Sequence, residues 1–245
     1  MVFQVVVFHT RTPPLFIADQ LVRIPGSTSV ISAGTLLLDS SGTIANSSGV
    51  NLGTAGSPGI LDLTAKSSFA FGVGQSVSGT GTINIGAGKV VTINGNLAPG
   101  NSPGIVSVTG DLTLAGNADM EIAGSGGVAG TDFDRTNVSG ALVWGGTISI
   151  VSFGGFTLDQ AGSYDLFDFN SQSGNLSGVS FGGIALSYVA LTNSWEGGNI
   201  GNTFDYSFKL NTGVLDVVAV PEPAAWILAA FGLTTAVVFR RRRRD

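Results

Sequence analysis

The chain has 245 residues, a formal net charge of −5 at pH 7 and only 11% charged residues. It contains 37 glycines and no cysteine, which excludes disulfides and thiolate metal sites. A chain of this length can bury one or two hydrophobic cores, and this one must hold them by packing and strand pairing alone.

Basic residues are concentrated near the C-terminus. Of the 16 acidic and 11 basic residues, fourteen and six lie before residue 221, so that part of the chain is acidic. Nucleic-acid binding needs Lys and Arg side chains clustered on one folded face. We therefore expect no nucleic acid among the partners of this protein.

Residues 1–29 are expected to be an ill-defined leader. Residues 1–8 are apolar except for Gln4, but the stretch is short, has no Lys or Arg before it and is soon followed by Pro13 and Pro14. A secretory signal peptide has a basic start, a longer apolar stretch and a small-residue cleavage site. We expect the true signal peptide to lie upstream of this sequence or, alternatively, residues 1–8 to be a degenerate one.

Residues 30–130 show short apolar alternations bounded by Gly, Asn and Ser, a pattern typical of strands. Within this region, residues 51–60 and 96–105 share Asn, Leu, Ser, Pro, Gly and Ile at the same offsets, 45 residues apart. Such a repeat indicates stacked units, and at about 20–25 residues per coil it spans two coils of a β-solenoid. The Ser-Pro-Gly-Ile turns predict that Ile60 and Ile105 enter the core.

From residue 131 the pattern changes and aromatic residues become frequent. The alternation in residues 164–169 and 204–208 predicts strands with one buried face. Residues 131–219 fit either a sandwich-like β cap or the last coils of the same solenoid. The glycine-rich residues 124–130 give the best boundary between the two regions.

Side chains able to carry catalysis are scarce. The single histidine, His9, lies in the leader, so we expect no Ser-His-Asp triad and no His-based metal site in the folded part. Asp132, Asp134 and Arg135 form one local cluster, which is either a weak Ca²⁺ site or a solvated turn in which Asp134 pairs with Arg135. We expect no resident metal and no cofactor. Four further acids are expected to point outward from strands: Asp119, Glu121, Asp165 and Asp168.

Aromatic side chains can bind sugars by stacking, although in a β protein they belong more often to the core. Trp195 lies between Ser194 and the run Glu196-Gly197-Gly198, which is a loop-like context. We therefore predict Trp195 as the best candidate for an exposed ligand contact.

Residues 220–245 have three parts. Pro221, Glu222 and Pro223 come first, and the sixteen residues 224–239 that follow contain no charge. As a helix, sixteen residues extend about 24 Å against a hydrocarbon core of about 30 Å, which predicts a short transmembrane helix. A run of arginines, expected on the cytoplasmic side, comes last: Arg240, Arg241, Arg242, Arg243 and Arg244.

This order resembles the PEP-CTERM sorting signal of exported bacterial proteins. The resemblance implies that Pro221, Glu222 and Pro223 are recognition residues, read by a membrane-embedded processing enzyme of the exosortase type. It also implies removal of the helix and delivery to the cell surface or the medium. The alternative is a plain C-terminal anchor with a chance Pro-Glu-Pro. Separately, residues 78–125, and more weakly 34–65, resemble the passenger-domain repeats of autotransporter adhesins, which fold as parallel β-helices.

These features predict an all-β protein with parallel β-solenoid-like repeats, a β-rich C-terminal region and one C-terminal transmembrane helix. The expected function is non-catalytic: an adhesin-like or structural protein of the cell surface or extracellular matrix. Its expected partners are extracellular polysaccharide or other surface proteins, and a passive anchor for one of those proteins is a variant of the same function. The alternative is a surface-held β-helix lyase or hydrolase acting on carbohydrate, which needs acidic side chains converging in a groove.

Overall fold

The computed structural model describes residues 15–18, 26–157, 160–199, 201 and 203–220, and these residues form strands and turns with no helix among them. The strands are β1 (Leu15–Ala18), β2 (Thr28–Val30), β3 (Gly34–Leu38), β4 (Gly49–Asn51), β5 (Gly53–Thr54), β6 (Ser57–Asp62), β7 (Ser68–Phe71), β8 (Ser76–Gly79), β9 (Gly81–Asn84), β10 (Val90–Ile93), β11 (Asn96–Pro99), β12 (Ile105–Thr109), β13 (Asp111–Leu114), β14 (Asn117–Ile122), β15 (Arg135–Trp144), β16 (Thr147–Ser152), β17 (Gly162–Asp165), β18 (Phe167–Gly174), β19 (Gly178–Phe181), β20 (Ile184–Ala185), β21 (Ser187–Val189), β22 (Ser194–Gly198), β23 (Phe204–Lys209) and β24 (Val214–Ala219).

Most strands belong to three parallel ladders, which we call the first, second and third faces. The first face runs β1-β3-β6-β9-β12-β15-β18, the second β7-β10-β13-β15-β18 and the third β2-β4-β8-β11-β14-β16-β19. The long strands β15 and β18 each span the first two faces, with an irregularity between Val138 and Ala141. The chain returns to the same faces turn after turn, so the parallel strands form one curled stack of coils, which we call the solenoid.

The length of a coil varies along the solenoid. One turn leads from Asn96 to its partner Asn117, and the next, from Asn117 to its partner Thr147, is longer because it includes the loop between β14 and β15. The sequence repeat does span two coils, because β4 and β11 both pair with β8. Two turns from Asn51, however, lead to Ala98 rather than to Asn96. The shift by an even number of positions preserves which side chains face inward.

The solenoid is filled by side chains that alternate inward and outward along each strand. In β10 and β13, Val91 pairs with Leu112 and Ile93 with Leu114, and all four side chains are fully buried. Complete burial of each such side chain contributes about 1.5–3 kcal/mol. In the same two strands, Thr92, Asp111 and Thr113 occupy outward positions, and Val90 is the apolar exception.

The predicted burial of Ile60 and Ile105 is wrong. Ile60 is 39% exposed and Ile105 is half-buried, while their neighbours Leu61 and Val106 are fully buried. Because Gly59 faces the interior and packs against the backbone of Ile31, strand alternation turns the next residue outward. The glycine of the turn, not the isoleucine, occupies the inward position.

Glycines permit the close approach of successive coils at one corner. Gly95, Gly116 and Gly146 each stand directly before a strand of the third face, and a Cβ on any of them would overlap a backbone carbonyl oxygen of the coil before it. In the same stack, the amide of Asn117 donates to the carbonyl of Gly95, and the amide of Thr147 to that of Gly116, both at 3.0 Å.

Gly116→Ala is therefore expected to destabilise the protein by about 3 kcal/mol, because the added methyl group forces two coils apart. The matched control is Gly74→Ala, where a Cβ meets nothing within 4 Å. That change should be neutral or stabilising by about 0.5 kcal/mol. Urea unfolding of both variants measures the difference, and equal stabilities would contradict the role assigned to this corner.

An antiparallel sheet covers the C-terminal end of the solenoid. Its strand order is β17-β24-β23-β22-β21, and we call it the cap. The ring of Tyr206 in the cap lies 4.0 Å from that of Phe181 in the last coil, and Tyr164 contacts Phe133 edge to face at 5.7 Å. Residues 131–219 thus contain both structures considered from the sequence, namely the last coils and a separate sheet.

Two sequence boundaries can be compared with the strand pairing. β1 pairs with β3 and β2 pairs with β4, so the ladders begin inside residues 1–29. Residues 124–130 lie in the loop between β14 and β15, and β15 continues the parallel ladders of β12 and β13 beyond that loop.

Candidate functional sites

The predicted recognition residues Pro221, Glu222 and Pro223, the apolar run 224–239 and the arginines 240–244 lie outside the described residues. Within the described ranges, no helix has the length and apolar character needed to cross a membrane. The predicted transmembrane helix and the roles of these residues therefore stay predictions.

The fold extends to the residue directly before the Pro-Glu-Pro sequence. β24 ends at Ala219, and the amide of Val220 still donates a hydrogen bond to the carbonyl of Thr203 at 2.8 Å. Residue 220 is thus attached to the cap, and Pro221 follows it without any intervening linker.

Asp134 is the most unusual ionisable group in the described part of the chain, because it is only 1% exposed. Its Oδ1 accepts a hydrogen bond from the amide of Gly104 at 2.7 Å, and its Oδ2 accepts one from the amide of Glu121 at 2.8 Å. Gly104 precedes β12 and Glu121 lies in β14, so this carboxylate joins the start of β15 to two other strands.

The environment of Asp134 changes its acidity. Burial raises the pKa of Asp134 to about 7, although the two backbone hydrogen bonds from Glu121 and Gly104 act to lower it. The charge of Glu121 raises it further. This carboxyl therefore titrates near neutral pH, although it faces the protein interior and not a substrate groove.

Asp132 has a different role from Asp134. Its Oδ2 accepts a hydrogen bond from the amide of Val128 at 2.8 Å, and its carbonyl oxygen accepts from the amides of Ala123 and Gly124. Asp132 therefore closes the glycine-rich loop. In the part of the chain that the structure describes, no three His, Cys, Asp or Glu side chains are placed to hold a metal ion.

The proposed pairing of Arg135 with Asp134 is wrong. Strand alternation turns Arg135 outward, where one guanidinium nitrogen lies 3.0 Å from Asp165 and 3.0 Å from Asp168. Burial raises the pKa of Asp165, and the Arg135 charge acts in the opposite direction. Because the three side chains are 25–61% exposed, the stabilisation from these ion pairs is small, about 1 kcal/mol or less.

The third face carries a hydrogen-bonded ladder of side chains that was not predicted from the sequence. The amide nitrogens of Asn96 and Asn117 donate to the two oxygens of Asp119 at 2.9 and 2.7 Å, and Asn117 also donates to Asn96 at 2.9 Å. The hydroxyl of Thr147 donates to Asn117 at 2.8 Å. The recurrence of Gly-Asn one coil apart, at 95–96 and 116–117, was the available signal.

Trp195 lies in a different context from the one predicted. It belongs to strand β22 rather than to a loop, and it is half-buried with its indole packed against the core. Its ring lies 5.7 Å from that of Tyr188, which is 39% exposed at the edge strand of the cap. Its Nε1 is buried and has no hydrogen-bond partner. The pair offers only a partly exposed aromatic edge, and a ligand contact there stays a prediction.

The polar side chains of these sites bond to one another and to the backbone of the fold. Asp134 and Asp119 use their oxygens for hydrogen bonds within the solenoid, and Asp165 and Asp168 share the charge of Arg135. These hydrogen bonds and ion pairs connect neighbouring strands and coils.

Comparison with known proteins gives one match. A family model described as the PEP-CTERM protein-sorting motif matches residues 219–244. No curated protein and no solved structure matches the chain. The motif match supports a C-terminal sorting signal on an exported protein, and exosortase-type processing is what such a motif implies in general. It does not extend to the solenoid, and the resemblance to autotransporter repeats is not confirmed.

Proposed function

We propose that this chain is a non-catalytic protein of the cell surface or extracellular matrix, with an adhesin-like or structural role, delivered by exosortase-type processing of its C-terminal motif. The observation that carries the proposal is the sorting motif at residues 219–244, which begins within the last strand of an all-β fold. Before processing, residues 224–239 span the inner membrane as a helix, with the arginines in the cytoplasm.

The non-catalytic part of the proposal is supported by the surface of the solenoid. Outward positions carry mostly small hydroxyl and amide side chains, such as Ser76, Asn96 and Thr147, each of them on the third face. Such a surface can contact polysaccharide through many weak hydrogen bonds, and Trp195 with Tyr188 adds an aromatic edge. Extracellular polysaccharide or other surface proteins are the partners that this chemistry fits.

Replacement of Pro221, Glu222 and Pro223 by alanine is expected to abolish processing in the native host, because these residues are the proposed recognition element. The full-length chain should then accumulate in the inner membrane and disappear from the surface and the medium. Immunoblots of the separated fractions, with an antibody against the solenoid, measure the distribution.

The matched control replaces all five residues 240–244 by lysine, which keeps the positive charge. Because Lys and Arg contribute alike to membrane orientation, this variant should be processed as the wild type is. Normal processing of the alanine variant would show that the Pro-Glu-Pro sequence is not the element that is read.

A further inference from the structure

We propose that, before processing, one end of the cap lies against the lipid headgroups of the membrane. This end, which we call the rim, consists of Thr203, Asp205, Val218 and Ala219. The inference rests on the proposed function, since it requires residues 224–239 to be inserted in the bilayer. It goes beyond that function in assigning a lipid-facing surface to the folded part of the chain.

The short connection between the cap and the apolar run carries the inference. Val220 is held to Thr203 by a hydrogen bond of 2.8 Å, and only Pro221, Glu222 and Pro223 separate it from residue 224. Three to four residues extend at most about 10–14 Å. The headgroup layer on each side of the hydrocarbon core is about 5–8 Å thick, so this connection cannot lift the rim far beyond it.

Strand direction fixes which surface faces the membrane. Val218 pairs with Asp205 and Ala219 with Phe204, so the end of β24 and the start of β23 lie together beside the motif. The hairpin tip at Leu191 joins β21 to β22 at the other end of the same sheet, because Ser194 pairs with Lys209 and Gly198 with Asp205.

The chemistry of the rim suits a headgroup layer that carries no net charge. Val218 is 58% exposed and Ala219 is exposed, so two small apolar side chains are already in contact with solvent. Asp205 is exposed beside them, and its charge would be repelled by anionic lipid. The motif match begins at Ala219, so Ala219 and Val220 belong to the cap and to the motif at once. We therefore assign the contact to a zwitterionic lipid surface.

The absence of cysteine from the chain permits a direct test. Val218→Cys and Leu191→Cys, both at exposed sites of the cap, are labelled separately with an environment-sensitive fluorophore. Each full-length chain is reconstituted into phosphatidylcholine vesicles. For the label at position 218 we expect a blue shift of the emission, and a fall in emission intensity when a headgroup-linked quencher lipid is added. We expect neither change for the label at position 191.

A variant with a longer connection tests whether the short connection, and not an affinity of the rim itself for lipid, holds position 218 at the membrane. Twelve Gly and Ser residues inserted between Val220 and Pro221 extend the connection by about 19 Å on average. With this spacer, the label at position 218 should lose its sensitivity to the quencher. Sensitivity that persists would overturn the assignment of the contact to the short connection.

The outcomes distinguish this inference from the function on which it rests. A chain that fails to float with the vesicles overturns membrane insertion and this inference together. A chain that floats, but whose two labels are quenched equally, overturns the inference alone. The label at position 218 can also be compared in vesicles and in host membranes that contain the processing enzyme. Shielding of this label in the host membranes alone would overturn the inference, because the rim would then contact a protein.

Discussion

Asp134→Asn is expected to remove much of the dependence of stability on pH between about 4 and 7. The folded-state pKa of Asp134 is raised from 3.8 to about 7, chiefly by burial. The folded protein therefore holds this proton at pH values where the unfolded chain has released it. The stability contributed by the protonated group is fully present below pH 3.8 and is lost as the pH rises to about 7.

The size of the effect on the free energy of unfolding follows from the linkage between proton binding and folding. Each unit of pKa difference corresponds to about 1.4 kcal/mol, so the full shift is worth up to about 4 kcal/mol. Asparagine keeps the shape of the side chain without its titration, although its amide faces one backbone donor and forfeits about one hydrogen bond. Urea unfolding at several pH values should thus give a flatter profile for the variant than for the wild type.

Asp216 provides a control of opposite sign. Burial acts to raise the pKa of Asp216, but Lys209 and Ser163 hold it below its usual range. Its contribution is present above the unfolded pKa of 3.8 and lost as the pH falls. Asp216→Asn should therefore leave the loss of stability between pH 4 and 7 in place. A wild-type profile that is flat over this window would contradict the buried position of Asp134.

Trp144→Ala is expected to lower the free energy of unfolding by about 3–5 kcal/mol. Trp144 is 2% exposed at the end of β15, and its ring contacts Phe167, Phe169 and Phe208 edge to face at 5.1–6.0 Å. Its Nε1 also donates to the carbonyl of Leu210 at 3.2 Å. Phe208 belongs to the cap and Leu210 follows it, so the side chain joins the cap to the solenoid.

The loss should be concentrated at that junction. Hydrogen exchange in the Trp144→Ala variant is expected to increase most in β23 and β24, because Phe208 of β23 loses its contact with the Trp144 ring and β24 pairs with β23. Phe153→Ala is the control, since Phe153 is 40% exposed and its removal should cost less than about 1 kcal/mol. A loss of similar size in both variants would contradict the role assigned to Trp144.

Period-two alternation predicted the strands well, because most inward positions of the parallel coils are apolar. In β10 and β13 the pattern Val91, Ile93, Leu112 and Leu114 is enough to identify the buried face. The position of Asp134 was not predictable in this way. Phe133 and Asp134 are both buried, so the alternation is interrupted where the chain enters β15.

The candidate sites were less accessible to sequence reasoning than the strands. The partners of Arg135, which are Asp165 and Asp168, lie one coil further along the chain, and only the stacking of coils brings such distant residues side by side. The glycines after Trp195 predict a loop, whereas cross-strand pairing with β23 keeps that segment in a sheet. The Pro-Glu-Pro motif was recognisable from the sequence alone, because it is defined by the order of neighbouring residues and not by contacts formed on folding.

The intact mass of the mature protein, isolated from the surface and medium fractions of the native host, tests the sorting account most directly. The account predicts a chain that ends near Pro221 and lacks residues 224–245. A chain that still extends to Asp245 and remains in the inner membrane would contradict it, and would leave the tail as a simple anchor.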